Sequence, residues 1–180
     1  MRRRELLVGG AAAGVAGTGA AVALGGWNPL EDGESIPEFE LAGIDAPGSE
    51  PGPITAPERG SVTFLEVFAT WCGVCEEVMG PMGTVYDDVG VDVQFVSVTN
   101  EPLGRTTTAE DVADWWADHD GRWPVAHDDD LELTGALDAT GVPYSVVLDE
   151  SNAVTWSDSG YKSAEELREP IDAALTTASG

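Results

Sequence analysis

A nearly unbroken apolar run, Phe64 to Ala69, passes through Thr70 into Trp71-Cys72-Gly73-Val74-Cys75, and a helical period begins at the second cysteine. Cys75, Val78, Met79, Met82, Val85, Tyr86 and Val89 recur on one side of a 3.6-residue repeat. A strand buried on both faces therefore feeds a helix, with the chain's two cysteines at the junction. A helix start offers free N–H groups and the positive end of a dipole. There a thiol pKa can fall from about 8.5 to between roughly 3.5 and 7.5. Cys72, at the helix start, gains most from this and is the sulfur a substrate can reach. Cys75 lies one turn on, close enough to form a disulfide with it. A bridge closing so short a loop adds little stability, so a redox pair explains it better than a staple.

Zinc is the main structural alternative for C-x-x-C. It needs four ligands, usually with a second spaced pair, and none is present. His119 and His127 are the only histidines. His119 follows Trp116 by three residues and reads as helix-edge packing. His127 precedes three aspartates and reads as part of a solvated loop.

The rest of the pattern alternates strand and helix, as expected for an α/β fold. Strands are expected at 91–98, at Pro124-Val125-Ala126, and at Tyr144–Leu148 returning as Ala153–Ser157 in a hairpin. Thr108 and Asp111 form a capping box ahead of Val112, Trp115 and Trp116. Leu131 to Leu137 reads as a short helix, and Ser163 with Glu166 caps a last one. Gly80-Pro81 should kink the first helix, and Pro170 should kink or divide the last.

Ahead of this domain, at 61–180, two segments differ in composition. Residues 1–26 combine Arg3-Arg4-Glu5-Leu6-Leu7 with a Gly/Ala-rich apolar stretch, and Ala21-Val22-Ala23 suits cleavage. Paired arginines before two leucines resemble a twin-arginine export signal, either cleaved or kept as an N-terminal membrane anchor. Residues 27–60 hold six of the eleven prolines. They read as a tether with little regular structure, apart from a short edge strand at Phe39-Glu40-Leu41.

The chain of 180 residues carries 33 acidic side chains against 8 basic ones, for a charge of −25. Without residues 1–26, which hold three arginines and one glutamate, the charge is −27. No row of phosphates could be neutralised by such a surface, which excludes a general nucleic-acid binder. Hydrophobic residues at 42% exclude disorder as the main state. A folded protein coated in carboxylates, with Lys162 its only lysine, suits a salt-loving organism, where ions screen self-repulsion.

Trp71-Cys72-Gly73-Val74-Cys75 after an apolar strand, with Val142-Pro143 about seventy residues later, resembles the thioredoxin superfamily. The insert between the strand at 91–98 and Leu131, with the export signal and tether, resembles its TlpA-like, membrane-tethered branch. The resemblance spans about residues 36–176. It implies a thioredoxin-like fold, a central mixed β-sheet flanked by helices, and thiol–disulfide exchange without a cofactor. Cys72 matches the attacking thiol, Cys75 the resolving thiol, and Pro143 the cis-proline that sets Val142 against an extended substrate. Trp71 and Tyr144 flank those positions as substrate-binding candidates. Glu66 matches the family's buried acid, which takes the proton of the resolving cysteine. The duller reading of Glu66 is a strand-edge salt bridge. Val74, Tyr144 and Val78 depart from the proline, threonine and glutamate that family members often carry there.

The resemblance implies disulfide- or thiol-containing protein substrates outside the cytoplasm, and an upstream redox partner such as a membrane thiol transporter. Reduction, as in cytochrome c maturation, is the expected direction. Two other classes place cysteines on a related framework. A copper metallochaperone or assembly factor of the same fold would use Cys72 and Cys75 with Met79, Met82 or His127. Its usual C-x-x-x-C spacing and distant histidine pair are absent. A peroxiredoxin would need proline and Thr or Ser where Leu65 and Ala69 stand.

Overall fold

The computed structural model describes residues 35–104 and 106–178. The export-signal reading of residues 1–26, and the start of the tether, lie outside the described residues. Strands β1 (Phe39–Gly43), β2 (Gly52–Ala56), β3 (Thr63–Phe68), β4 (Gln94–Thr99), β5 (Val125–His127), β6 (Tyr144–Leu148) and β7 (Val154–Ser159) form one sheet. Its order is β2-β1-β5-β4-β3-β6-β7. The central strands β3, β4 and β5 run parallel, and every other pairing is antiparallel. Helices α1 (Gly73–Val89), α2 (Ala109–Asp118), α3 (Glu132–Ala136) and α4 (Ala164–Ala178) cover it.

Residue alternation on β3 divides the core. Phe64 and Phe68 face a cluster with Cys75, Val78, Met82, Trp116, Leu167 and Ile171, so α1, α2 and α4 lie on that side. Leu65 and Val67 face the other, with Leu133 and Leu137 of the α3 region. This is the mixed, helix-flanked sheet expected of a thioredoxin-like fold.

The prolines did not keep residues 36–60 irregular. Phe39-Glu40-Leu41 belongs to β1, which pairs with β2 on one side and β5 on the other and so is not an edge. Proline is tolerated here because β2 is the outer strand, where Pro53 needs no ladder N–H on its open side. Both helical prolines also sit inside unbroken helices, Pro81 in α1 and Pro170 in α4. An interior proline costs about 3 kcal/mol. Burying one large apolar side chain returns about 1.5–3 kcal/mol. The buried faces of α1 (Val78, Met79, Met82, Val85, Val89) and α4 (Leu167, Ile171) outweigh the penalty.

Val91 was expected to open a strand. It is instead fully exposed in the turn after α1, and β4 starts at Gln94. His127 is not in a solvated loop. It closes β5, and its Nε2 lies 2.8 Å from the carbonyl oxygen of Glu101. The Thr108–Asp111 capping box forms as expected, and Ser163 and Glu166 form another.

Candidate active site

β3 ends at Phe68, and a turn closed by the Cys72 N–H on the Ala69 carbonyl (3.1 Å) delivers Cys72 to the N-cap of α1. Cys72 and Cys75 are joined as a disulfide, with Cα atoms 5.2 Å apart. The Cys75 N–H points back at Cys72 Sγ (3.1 Å). The cap that Ser or Asp fills in other helices is thus a sulfur here, and a thiolate at that position would keep the N–H contact. Cys72 retains 8% of its surface and Cys75 1%. That difference decides which sulfur an incoming group meets first.

Around the disulfide, Trp71 is 74% exposed and Val74 is exposed beside it. The Val142–Pro143 peptide is cis, and Val142 is partly buried. Tyr144, next in sequence, is turned inward. It is buried, and its hydroxyl donates to the Leu137 carbonyl oxygen (3.3 Å). Its side chain offers an incoming chain no open surface.

Glu66 alternates with Phe64 and Phe68 and therefore projects from the face that carries α1. It is buried in a central strand, which removes the edge salt bridge as an explanation. Ser145 Oγ on β6 donates to Glu66 Oε2 (2.5 Å), and Oε1 has no hydrogen-bond partner. Burial pushes the carboxyl from 4.5 up to about 8, against the opposing pull of the Ser145 hydroxyl and the Lys162 charge. Lys162 is itself buried. Its Nζ donates to the Ser159 carbonyl oxygen (2.7 Å) and pairs with Asp158 (3.1 Å). Asp158 is the register partner of Ser145.

Sequence reasoning singled out Glu66 but neither Ser145 nor Lys162, which the fold brings into its surroundings. The signal for Ser145 was there: the apolar middles of three strands, Phe95-Val-Ser97-Val, Leu65-Glu66-Val and Tyr144-Ser145-Val, are each interrupted by a small or acidic polar residue. Pairing aligns those three side by side.

The insert after β4 also reaches the site. Trp115 of α2 stacks on Phe68 (5.1 Å) and on His119 (4.3 Å). His119 Nδ1 lies 2.6 Å from the Trp115 carbonyl oxygen, which can only accept, so Nδ1 carries a hydrogen. Its Nε2 lies 3.5 Å from the carboxylate of Glu76, the residue after Cys75. His119 therefore does pack at a helix edge. Met79 and Met82 are buried in the core, as their helical spacing implied, and do not flank the sulfurs at the surface. No group of three or more His, Cys, Asp or Glu side chains that could hold a metal ion occurs among the described residues.

The Redoxin family model matches residues 31–175. The thiol-disulfide oxidoreductase ResA of Bacillus thuringiensis subsp. konkukian is 23% identical over 143 residues, 78% of this chain and 76% of that protein. A protein described as the thiol:disulfide interchange protein DsbE of Chlorobium tepidum superposes with a TM-score of 0.68 at 25% identity. That match covers 81% of this chain and 99% of the other. StoA of Bacillus subtilis superposes with a TM-score of 0.63 at 23% identity, covering 74% and 96%.

Proposed function

The chain belongs to the Redoxin family, in the TlpA-like branch of the thioredoxin superfamily, and is a thiol–disulfide oxidoreductase; from that premise we propose that it works outside the cytoplasm as a dithiol reductant of protein disulfides. The observation that carries the reading is the placement of the redox pair. Cys72 caps α1, accepts the Cys75 N–H and keeps a small exposed area, while Cys75 is fully enclosed behind it.

In the reduced protein the Cys72 thiolate attacks one sulfur of a substrate disulfide. A Cys72–substrate bond forms, the substrate S–S bond breaks, and the first substrate thiolate leaves. Cys75 then gives up its proton and attacks Cys72 Sγ. The Cys72–Cys75 disulfide forms and the second substrate thiolate leaves. Two electrons pass from the protein to the substrate. An upstream dithiol, such as a membrane thiol transporter would present, returns them.

Glu66 serves as the base for Cys75, directly or through water. A carboxyl near pH 8 matches a thiol near 8.5 far better than an exposed glutamate does. Trp71 and the Val142–Pro143 backbone receive the extended substrate. Tyr144 supports that surface from beneath.

Residues 1–26 act as a twin-arginine signal or anchor, so the substrates lie beyond the cytoplasmic membrane. Oxidised cysteine pairs awaiting haem attachment in cytochrome c maturation fit the chemistry. Replacing Arg3 and Arg4 with lysine should hold the protein inside the cell, and unchanged export on fractionation would remove this assignment. Electron direction is tested by the potential of the Cys72–Cys75 pair, measured against dithiothreitol and glutathione in molar salt. A value near about −270 mV supports reduction, and one near about −120 mV would make the protein an oxidant.

A further inference from the structure

Glu101 follows β4, is 5% exposed, and takes part in no ion pair among the described residues. Its carboxylate instead holds the turn before the redox pair. Oε2 accepts the Thr70 backbone N–H (2.8 Å), and Oε1 accepts the Thr70 hydroxyl (2.9 Å). The Thr99 hydroxyl donates to Oε2 (3.2 Å), and the Glu101 N–H donates to Thr99 Oγ1 (3.3 Å). The Glu101 carbonyl oxygen, 2.8 Å from His127 Nε2, fastens the same residue to β5.

Thr70 is the second residue of the turn that Cys72 closes on Ala69. Both of its donors therefore end on one buried side chain anchored to two central strands. Charge-assisted bonds of this kind are roughly twice as strong as neutral ones and fix direction as well as distance. A side-chain amide offers one acceptor where the carboxylate offers two, so it cannot hold both Thr70 donors in the same way. Exchange requires three sulfurs in line, so a small rotation of the turn at Cys72 is felt directly in the attack.

We propose that Glu101 is a positioning residue for thiol–disulfide exchange: by holding both donors of Thr70 it fixes the Trp71–Cys72 turn in the geometry from which Cys72 attacks. This rests on Cys72 being the attacking thiol.

The test reads attack alone, in a Cys75→Ser background, with a peptide cyclised by one disulfide as the probe. Glu101→Gln should slow attack by about tenfold, the effect of losing one charge-assisted bond. Alkylation of Cys72 by iodoacetamide, which needs no in-line sulfur, should change less than about twofold. Thr70→Val should also slow attack, and Thr70→Ser, which keeps both donors, should lose less. The double variant Glu101→Gln/Thr70→Val should be no slower than the slower single one, since both break one linkage.

Attack by Glu101→Gln at the parental rate overturns the proposal, as does multiplication of the two effects in the double variant. Equal changes in attack and alkylation also overturn it, because Glu101 would then act on Cys72 acidity. If Glu101→Gln does not fold, the threonine variants decide, and equal rates for Val and Ser overturn it. A parent that attacks no disulfide overturns the exchange reading along with this one, whereas an active parent with indifferent variants overturns this one alone.

Discussion

Ser145 Oγ on β6 donates to Glu66 Oε2 on β3 at 2.5 Å, from the register position directly opposite, and leaves Glu66 Oε1 without a partner. One oxygen is thus fixed and the other is open. A carboxylate in this arrangement can take a proton on Oε1 without giving up the bond that orients it. A buried acid with one unsatisfied oxygen is costly unless it is neutral. That is the physical origin of the rise in its pKa to about 8.

The first prediction separates the two chemical steps. Glu66→Gln should slow resolution of the mixed disulfide by about a hundredfold, the lower end for a positioned base. First attack by Cys72 should stay within about twofold. Single-turnover kinetics on a disulfide peptide measure both. Equal slowing of the two steps, or of neither, would return Glu66 to a structural role.

The second concerns pH. Glu66 ionises near 4.5 in the unfolded chain and near 8 in the folded one. The folded state therefore binds the extra proton between those values, and stability falls as pH rises through that window. Each unit is worth about 1.36 kcal/mol, so the loss is several kcal/mol. Asp149, where burial pushes up but the bonds from Ser151 and Ala153 together prevail, and Asp158, bonded to Lys162 and the Ser159 N–H, are held low and contribute in the opposite sense, below their ordinary range. Chemical unfolding in molar salt should show greatest stability at about pH 4 to 5, above the ordinary aspartate range and at the foot of the Glu66 window. In Glu66→Gln the decline towards pH 8 should flatten.

Much of this site was legible in advance, for identifiable reasons. Cys72 and Cys75 sit where an apolar run meets a helical period, which implies a strand and a helix start, and the cis bond at Pro143 was an implication of the resemblance to the thioredoxin superfamily. Glu66 stands out because one acid in an apolar strand demands a purpose. Glu101 could not be found that way. It sits in a polar stretch, Thr99-Asn100-Glu101, where a glutamate is unremarked until the fold brings Thr70 to it. Tyr144 was placed at the substrate surface because it follows Pro143. Strand alternation turns it inward instead. β2 was hidden because proline density reads as irregular wherever the pairing partner is unknown.

The third prediction concerns salt. Lysine and arginine side chains form four ion pairs among the described residues, and only Arg122, Lys162 and Arg168 supply the cations. Against 33 acidic side chains, most of the charge is uncompensated. The Debye length falls from about 10 Å at 0.1 M to about 3 Å at 1 M, so repulsion fades over that range. Melting temperature should rise from low to molar salt. A flat response would remove the salt-loving reading.

The fourth concerns Trp71. Because its side chain is largely exposed, Trp71→Ala should leave melting temperature nearly unchanged. The half-saturating concentration of a protein substrate should rise by about tenfold, in the range of an aromatic contact removed from an interface. Reaction with a small disulfide such as glutathione disulfide should change little. Equal loss with both substrates would make Trp71 part of the cysteine geometry and not of the docking surface.

The central claim is that Cys72 attacks and Cys75 resolves. Full-length Cys75→Ser and Cys72→Ser proteins, expressed in cells, can be compared by non-reducing electrophoresis of extracts and identification of the trapped partners. The account predicts reducible adducts with exported, cysteine-containing proteins in Cys75→Ser and far fewer in Cys72→Ser. A copper carrier built on the same sulfurs predicts that both substitutions abolish stoichiometric Cu(I) binding and that neither traps a partner. Empty lanes for Cys75→Ser, together with one tightly bound Cu(I) in the wild type, would contradict the exchange mechanism.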